Sequence, residues 1–145
     1  MSTEQERLLL RETIAAGFRQ AAFVGDVGIM LVDCGPGWCE SSLAVMPRHL
    51  QQGGVVHAGV QATMADHTSG AAATTILEAG RHAVTAEFKI NLLRAVRSER
   101  LRCRADVLRS GRSIIVVEAD IFADVHGEAV LVSRLNATMS VVDLA

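Results

Sequence analysis

The period of the apolar positions changes along this chain, and each change predicts a different element. Over residues 3–23, Leu8, Leu10, Ile14, Phe18 and Ala21 or Ala22 follow helical spacing with Glu and Arg between them, the pattern of an amphipathic helix. Residues 27–33 read as a strand, Gly35-Pro36-Gly37 as a turn, and residues 38–46 alternate as a second strand, together a hairpin. Alternation then stops. Of the 18 residues 58–75, 13 are Ala, Gly, Ser or Thr, and the length favours a helix running from about residue 58 to 77. Such a helix has no amphipathic face of its own, so it is buried only if a strongly curved sheet wraps it. Residues 84–93, 101–108, 113–122 and 129–142 are rich in Val, Ile and Thr and alternate in part, as strands do. Ser110-Gly111-Arg112 and the segment from Asp124 to Glu128 supply turns, so these neighbours should form antiparallel hairpins. The order is helix, two strands, central helix, four strands: an α+β architecture with one core helix against about six antiparallel strands.

Composition narrows the class. A chain of 145 residues, half of them hydrophobic and 21% charged, suits one globular domain over residues 1–145, with residues 1–23 as its N-terminal helix. A net charge of −2 and an aromatic content of 3% argue against a nucleic-acid partner. No apolar run approaches the roughly 20 residues of a membrane span, and the charged N-terminus is unlike a secretory signal. Cys34, Cys39 and Cys103 are odd in number and lack zinc-ligand spacing, which fits small buried hydrophobes in a reducing cytoplasm. The histidines form no metal-type pair, so no metal or other cofactor is expected. Long strands have edges to cover, and pairing with a second copy is one way to do so.

Asp66 is the most informative residue. It lies among small and apolar neighbours in the helix expected to be buried, where a carboxylate is costly without partners. Either it faces out or bonds to His67, Thr63 or a strand backbone, or it is held at a cleft as base or nucleophile. The glycine-rich loop at residues 51–59 enters the helix near Ala58, leaving N–H groups free for an anion or oxyanion. His57 at that junction can cap the helix or take part in catalysis. Seven arginines fall in the 19 residues 94–112: Arg94, Arg97, Arg100, Arg102, Arg104, Arg109 and Arg112. They are either solvated strand ends paired with Glu99 and Asp106, or recognition of phosphates, which guanidinium forks suit.

The stretch GGVVHAGVQATMAD, followed by TAEFKINLLRA at residues 85–95, resembles the hotdog-fold acyl-CoA thioesterases. It is most similar to the phenylacetate-pathway (PaaI-like) and 4-hydroxybenzoyl-CoA groups of that superfamily. The family's motif is His-Gly-Gly with an acidic residue nine positions after the His, and His57, Ala58, Gly59 and Asp66 keep that spacing. The resemblance implies a hotdog fold and hydrolysis of an acyl-CoA thioester. It implies Asp66 as acidic catalyst, the Ala58 N–H as oxyanion donor, Gln51 as the upstream amide and Thr85 as the hydroxyl that helps hold the carboxylate or water. His57, Gly59 and the turn Gly111, Arg112, Ser113 fall where the substrate is bound. Ala58 replaces the family's first glycine, which keeps the N–H but brings a methyl group near the thioester. The resemblance also implies a homo-oligomer, a dimer of dimers, with each site between two protomers. Two other readings are a hotdog enoyl-CoA hydratase or dehydratase using His57 or His67 with Asp66, and a non-catalytic acyl-CoA binder.

Overall fold

The computed structural model describes residues 3–144. Helix α1 spans Thr3–Gln20 and α2 Ala22–Val27; strands β1 (Met30–Gly35) and β2 (Trp38–Ala44) form the first hairpin. Helix α3, Ala58–Thr74, follows, and then β3 (Arg81–Leu92), β4 (Arg100–Ser110), β5 (Ile114–Val125) and β6 (Glu128–Asp143). The strands make one antiparallel sheet in the order β1-β2-β4-β5-β6-β3, so β3 pairs with β6 and stands at an edge. No described helix is long and apolar enough to cross a membrane.

Two expectations fail near the N-terminus: the helix expected to run to residue 23 stops at Gln20, where Ala21 turns extended (φ −78°, ψ 91°), and the first strand begins late. The strand expected at residues 27–33 starts only at Met30, because residues 22–27 form the short helix α2. Gly28, at φ 96°, ends that helix with its N–H on the Val24 carbonyl. The turn places Val24 and Ile29 in the core, 5% and 4% exposed.

Helix α3 packs on β2, β3, β4, β5 and β6. Its buried residues, Gln61, Met64, Ala65, Thr68, Ser69, Ala72 and Ala73, lie on one helical face and are mostly small, which lets the sheet approach closely. Their hydroxyls are satisfied locally: Thr68 and Ser69 donate to the carbonyls four residues back, and Thr68 also shares a 2.7 Å hydrogen bond with Ser41 of β2. From the sheet come Leu101, Ile115, Ile121, Leu135 and Met139, all fully buried. Cys34, Cys39 and Cys103 are free thiols inside this core. Burial pushes the Cys103 thiol up to about 12 and that of Cys39 further, so neither is a nucleophile at neutral pH.

Helix α1 lies against β1, α2 and α3. Ile14 and Phe18 anchor it, and Arg11 ties it to the Asp33 carboxylate and, at 2.8 Å, to the Val32 carbonyl. Strand β3 carries a bulge between Thr85 and Glu87. Ala83 and Thr85 face α3 before it, and Phe88, Ile90 and Leu92 face the same side after it, opposite Ala137, Leu135 and Ser133. A bulge reverses the parity of the side chains along a strand. That reversal explains why residues 84–93 alternate only in part.

Candidate active site

Asp66 sits near the middle of α3, half-buried, on the side of the helix that meets β3. The Thr85 hydroxyl donates to its Oδ1 at 2.7 Å and lies 3.4 Å from the Met139 sulfur. The carboxylate's partner is thus a strand side chain, not His67, Thr63 or a strand backbone, and it stands at a cleft. Asp66 and Thr85 border a cavity of ≈ 680 Å³ between α1, α3 and the start of β3. That is the size range of small-molecule sites.

His67 lines the same cavity and packs edge-on against Phe18 of α1, ring centroids 4.5 Å apart and planes at 90°. Burial pushes the His67 imidazole below its ordinary value, with the Asp66 charge opposing. Its Nε2 is buried without a hydrogen-bond partner among the described residues. No histidine hydrogen-bonds to Asp66 among the described residues; the carboxylate's partner is Thr85.

At the other end of α3, His57 is the N-cap. Its Nδ1 accepts the Gly59 N–H at 2.8 Å, and its carbonyl accepts from Val60 at 3.0 Å. His57 therefore caps the helix, one of its two expected roles. The same geometry accounts for Gly59, since a Cβ there would lie 3.0 Å from the His57 ring. The Ala58 N–H, at the first position of the helix, has no partner within the described chain and points to the helix's open N-terminal end. The loop before it is fixed by a Gln51 N–H to Val55 carbonyl bond, a Val56 N–H to Val96 carbonyl bond, and Arg97 on the Gly53 carbonyl at 2.8 Å. The Gln51 side chain is exposed.

Within one chain these groups divide into two sets. Ala58 and Asp66 are eight residues apart, about 12 Å along the axis at 1.5 Å per residue. Asp66 and Thr85 are together; Gln51, His57, Ala58 and Gly59 are together at the far end. The turn Gly111, Arg112, Ser113 joins β4 to β5, closed by a 2.8 Å bond from the Gly111 N–H to the Ile114 carbonyl. Ile115 pairs with Met139 and Met139 with Thr85, so this turn lies at Thr85's end of the sheet. Two strand spacings, about 10 Å, separate β5 from β3. Arg112 is exposed and has no ion-pair partner among the described residues. Arg104, by contrast, is held by Glu40 and Asp106 and lies 4.3 Å over the Trp38 ring. Asp106 is thus a partner as expected, whereas Glu99 enters no ion pair among the described residues.

That α1 forms a wall of this cavity is not among the expectations from the sequence. Ala16, Gly17 and Phe18 come from it, facing Gly70 and Ala71 of α3. The available signal was Gly17 and Gly70 themselves, since glycine in a helix interior is about 1 kcal/mol worse than alanine and calls for a reason.

Comparison with known proteins identifies the fold and the superfamily. Residues 53–130 match the thioesterase superfamily. The fold superimposes on a thioesterase family protein from Silicibacter pomeroyi with a TM-score of 0.88 and 28% identity, covering 91% of this chain and 97% of that one. A thioesterase from Haemophilus influenzae gives a TM-score of 0.81 at 31% identity, covering 92% and 90%. A Streptococcus mutans protein solved bound to acetyl-CoA gives 0.71 at 23% identity, covering 81% and 90%. With its six-stranded antiparallel sheet around α3, this chain has the hotdog fold and belongs to the thioesterase superfamily.

Proposed function

We propose that this protein hydrolyses acyl-CoA thioesters, with Asp66 as the catalytic carboxylate, in a site completed by a second copy of the chain. The observation that carries this reading is Asp66 itself: a carboxylate on a buried helix, oriented by Thr85, at the border of a cavity large enough for an acyl group. The acetyl-CoA held by the Streptococcus mutans relative of the same fold supports coenzyme A as the carrier.

The thioester carbonyl oxygen accepts a hydrogen bond from the Ala58 N–H, where the helix N-terminus favours developing negative charge. Gln51, in the loop that leads into α3, is assigned to the same oxyanion site. Asp66 of the same chain, about 12 Å along α3, is too far to act on that carbonyl. Asp66 of the partner subunit supplies the carboxylate instead. It either takes a proton from the attacking water or attacks the carbonyl carbon directly. Direct attack expels the coenzyme A thiolate and leaves an acyl–carboxylate anhydride, which water then opens. On both routes the C–S bond breaks, the acyl group leaves as the acid and coenzyme A as the thiol.

Strand β3 supports the pairing. It is an edge strand of 12 residues with Phe88, Leu92 and Val84 41%, 47% and 51% exposed. An edge so long and apolar needs cover, and the same strand of a second copy provides it. The resemblance extends the dimer to a dimer of dimers. Arg112, in its turn at Thr85's end of the sheet, binds the coenzyme A phosphates, with Gly111 and Ser113 shaping the approach. The whole chain then works as one hotdog domain.

A hydratase needs a histidine working with the acid. His57 is occupied as a cap and Asp66 bonds to Thr85, which favours hydrolysis over hydration. Measuring thiol release from a panel of acyl-CoAs tests the reading. Turnover is expected; hydration of an enoyl-CoA without thiol release, or saturable binding without turnover, would overturn it.

A further inference from the structure

The chain's twelve glycines fall into groups by the reason each position needs one. Gly28, Gly37, Gly53, Gly54, Gly80 and Gly127 have positive φ, where a side chain is strained. At Gly35, Gly59 and Gly111 an added Cβ would lie 2.5, 3.0 and 2.9 Å from a neighbouring atom. Neither reason applies to Gly17, Gly25 and Gly70, whose added Cβ would meet nothing within 4 Å. All three lie in helices, where glycine costs stability. Gly17 on α1 and Gly70 on α3 line the same cavity, the one that Asp66 borders. Gly70 is one turn beyond Asp66, so it continues the face on which the carboxylate stands.

We propose that this cavity is the acyl channel and that Gly17 and Gly70 set the length of acyl group it admits. The proposal rests on the thioester-hydrolysis reading of Asp66 and adds the substrate class. The class follows from the lining. Ile14, Ala16, Phe18, Ala71 and Ala83 present apolar surface, and no described lysine or arginine lines the space. Among the described residues the other ionisable groups of the lining are His67, whose charged form burial disfavours, and His82, while the carboxylates Glu12 and Asp66 repel a phosphate or a terminal carboxylate. The occupant is an uncharged, extended acyl chain, and the nucleotide of coenzyme A lies elsewhere. From Asp66 to Thr74 the cavity follows α3 for eight residues, about 12 Å. That length suits a chain of several methylenes rather than an acetyl group. Helix stability is given up at two positions to keep the channel open.

The test compares wild type, Gly17→Leu and the milder pair Gly17→Ala and Gly70→Ala. Substrates run from acetyl-CoA to dodecanoyl-CoA, and binding of the matching alkyl-CoA thioethers, which cannot be hydrolysed, is measured by calorimetry. Each methylene excluded from an apolar site costs about fourfold. Gly17→Leu should lower kcat/KM for dodecanoyl-CoA by about 10-fold or more and leave acetyl-CoA within about twofold. The alanine variants should show the same trend at about fourfold, with raised thermal midpoints because alanine favours helix. Thioether affinity should rise with chain length in wild type and lose that rise in Gly17→Leu. Hydrolysis with an unchanged length profile in folded Gly17→Leu would overturn the channel and leave the hydrolysis reading intact. Length-dependent thioether binding without turnover would do the reverse.

Discussion

Replacing Thr85 with valine removes one hydroxyl and keeps the shape of the side chain. In the wild-type protein that hydroxyl donates to Asp66 at 2.7 Å, a charge-assisted bond. Hydrogen bonds to charged groups are worth about 1.5–3 kcal/mol. Thr85 and Asp66 are both half-buried, so solvent screens the pair and the lower end applies. About 1.4 kcal/mol is tenfold. The bond orients the carboxylate for the chemical step, and Thr85→Val should therefore lower kcat about 10-fold. KM should stay near wild type, because an apolar acyl group loses no contact with a methyl in place of the hydroxyl. Thr85→Ser restores the donor and should recover most of kcat. Thiol release under saturating substrate, with thermal melts to confirm folding, reads both. A folded Thr85→Val protein with wild-type kcat would refute the positioning role and detach Thr85 from the mechanism.

Arg112→Ala should raise KM for acyl-CoA about 10-fold and leave kcat nearly unchanged, because phosphate contacts persist from ground state to transition state. The same variant should behave as wild type on acyl-pantetheine, which lacks the nucleotide; equal losses on both substrates would end the phosphate role. Mixing inactive Gln51→Ala and Asp66→Asn proteins under subunit exchange should restore part of the activity, since a hybrid dimer carries one intact site. No restoration after proven exchange would place the two residues in one protomer's site. His67 gives a pH signature: burial holds its pKa below the ordinary 6.5, so on acidification the unfolded chain takes up a proton that the folded chain refuses. Its contribution to stability is present above that value and is lost as pH falls through it. Between pH 7.5 and 5.5 the melting temperature of wild type should drop more than that of His67→Gln, and equal drops would contradict the assignment.

Much of this structure is legible in the sequence because its signals are local. The small-residue composition of residues 58–75 marks a helix that only a wrapped sheet can bury, and α3 is found there. The turns at Ser110-Gly111-Arg112 and Asp124–Glu128 fix the β4–β5 and β5–β6 hairpins. Asp66 stands out because a carboxylate in such a segment needs a reason. What the sequence hides is long-range. Thr85 and Asp66 are 19 residues apart, and only the family resemblance joined them. The β3 bulge that reverses the strand's faces leaves no residue signature beyond imperfect alternation. Where a strand is expected from residue 27 there is a helix stopped by Gly28, whose positive φ is a property of the fold. The cavity wall from α1 was hidden because Ile14 and Phe18 explain an amphipathic helix fully without a ligand.

The central claim is that the Asp66 carboxylate performs the hydrolysis. Asp66→Asn keeps the size of the side chain and removes the base or nucleophile, and the loss of a general base typically lowers the rate by about 10²–10⁴-fold. Single-turnover thiol release from the best acyl-CoA of the panel measures that step directly. The account predicts a loss of this size in a protein whose oligomeric state and melting temperature match wild type. Wild-type turnover in folded Asp66→Asn would contradict it.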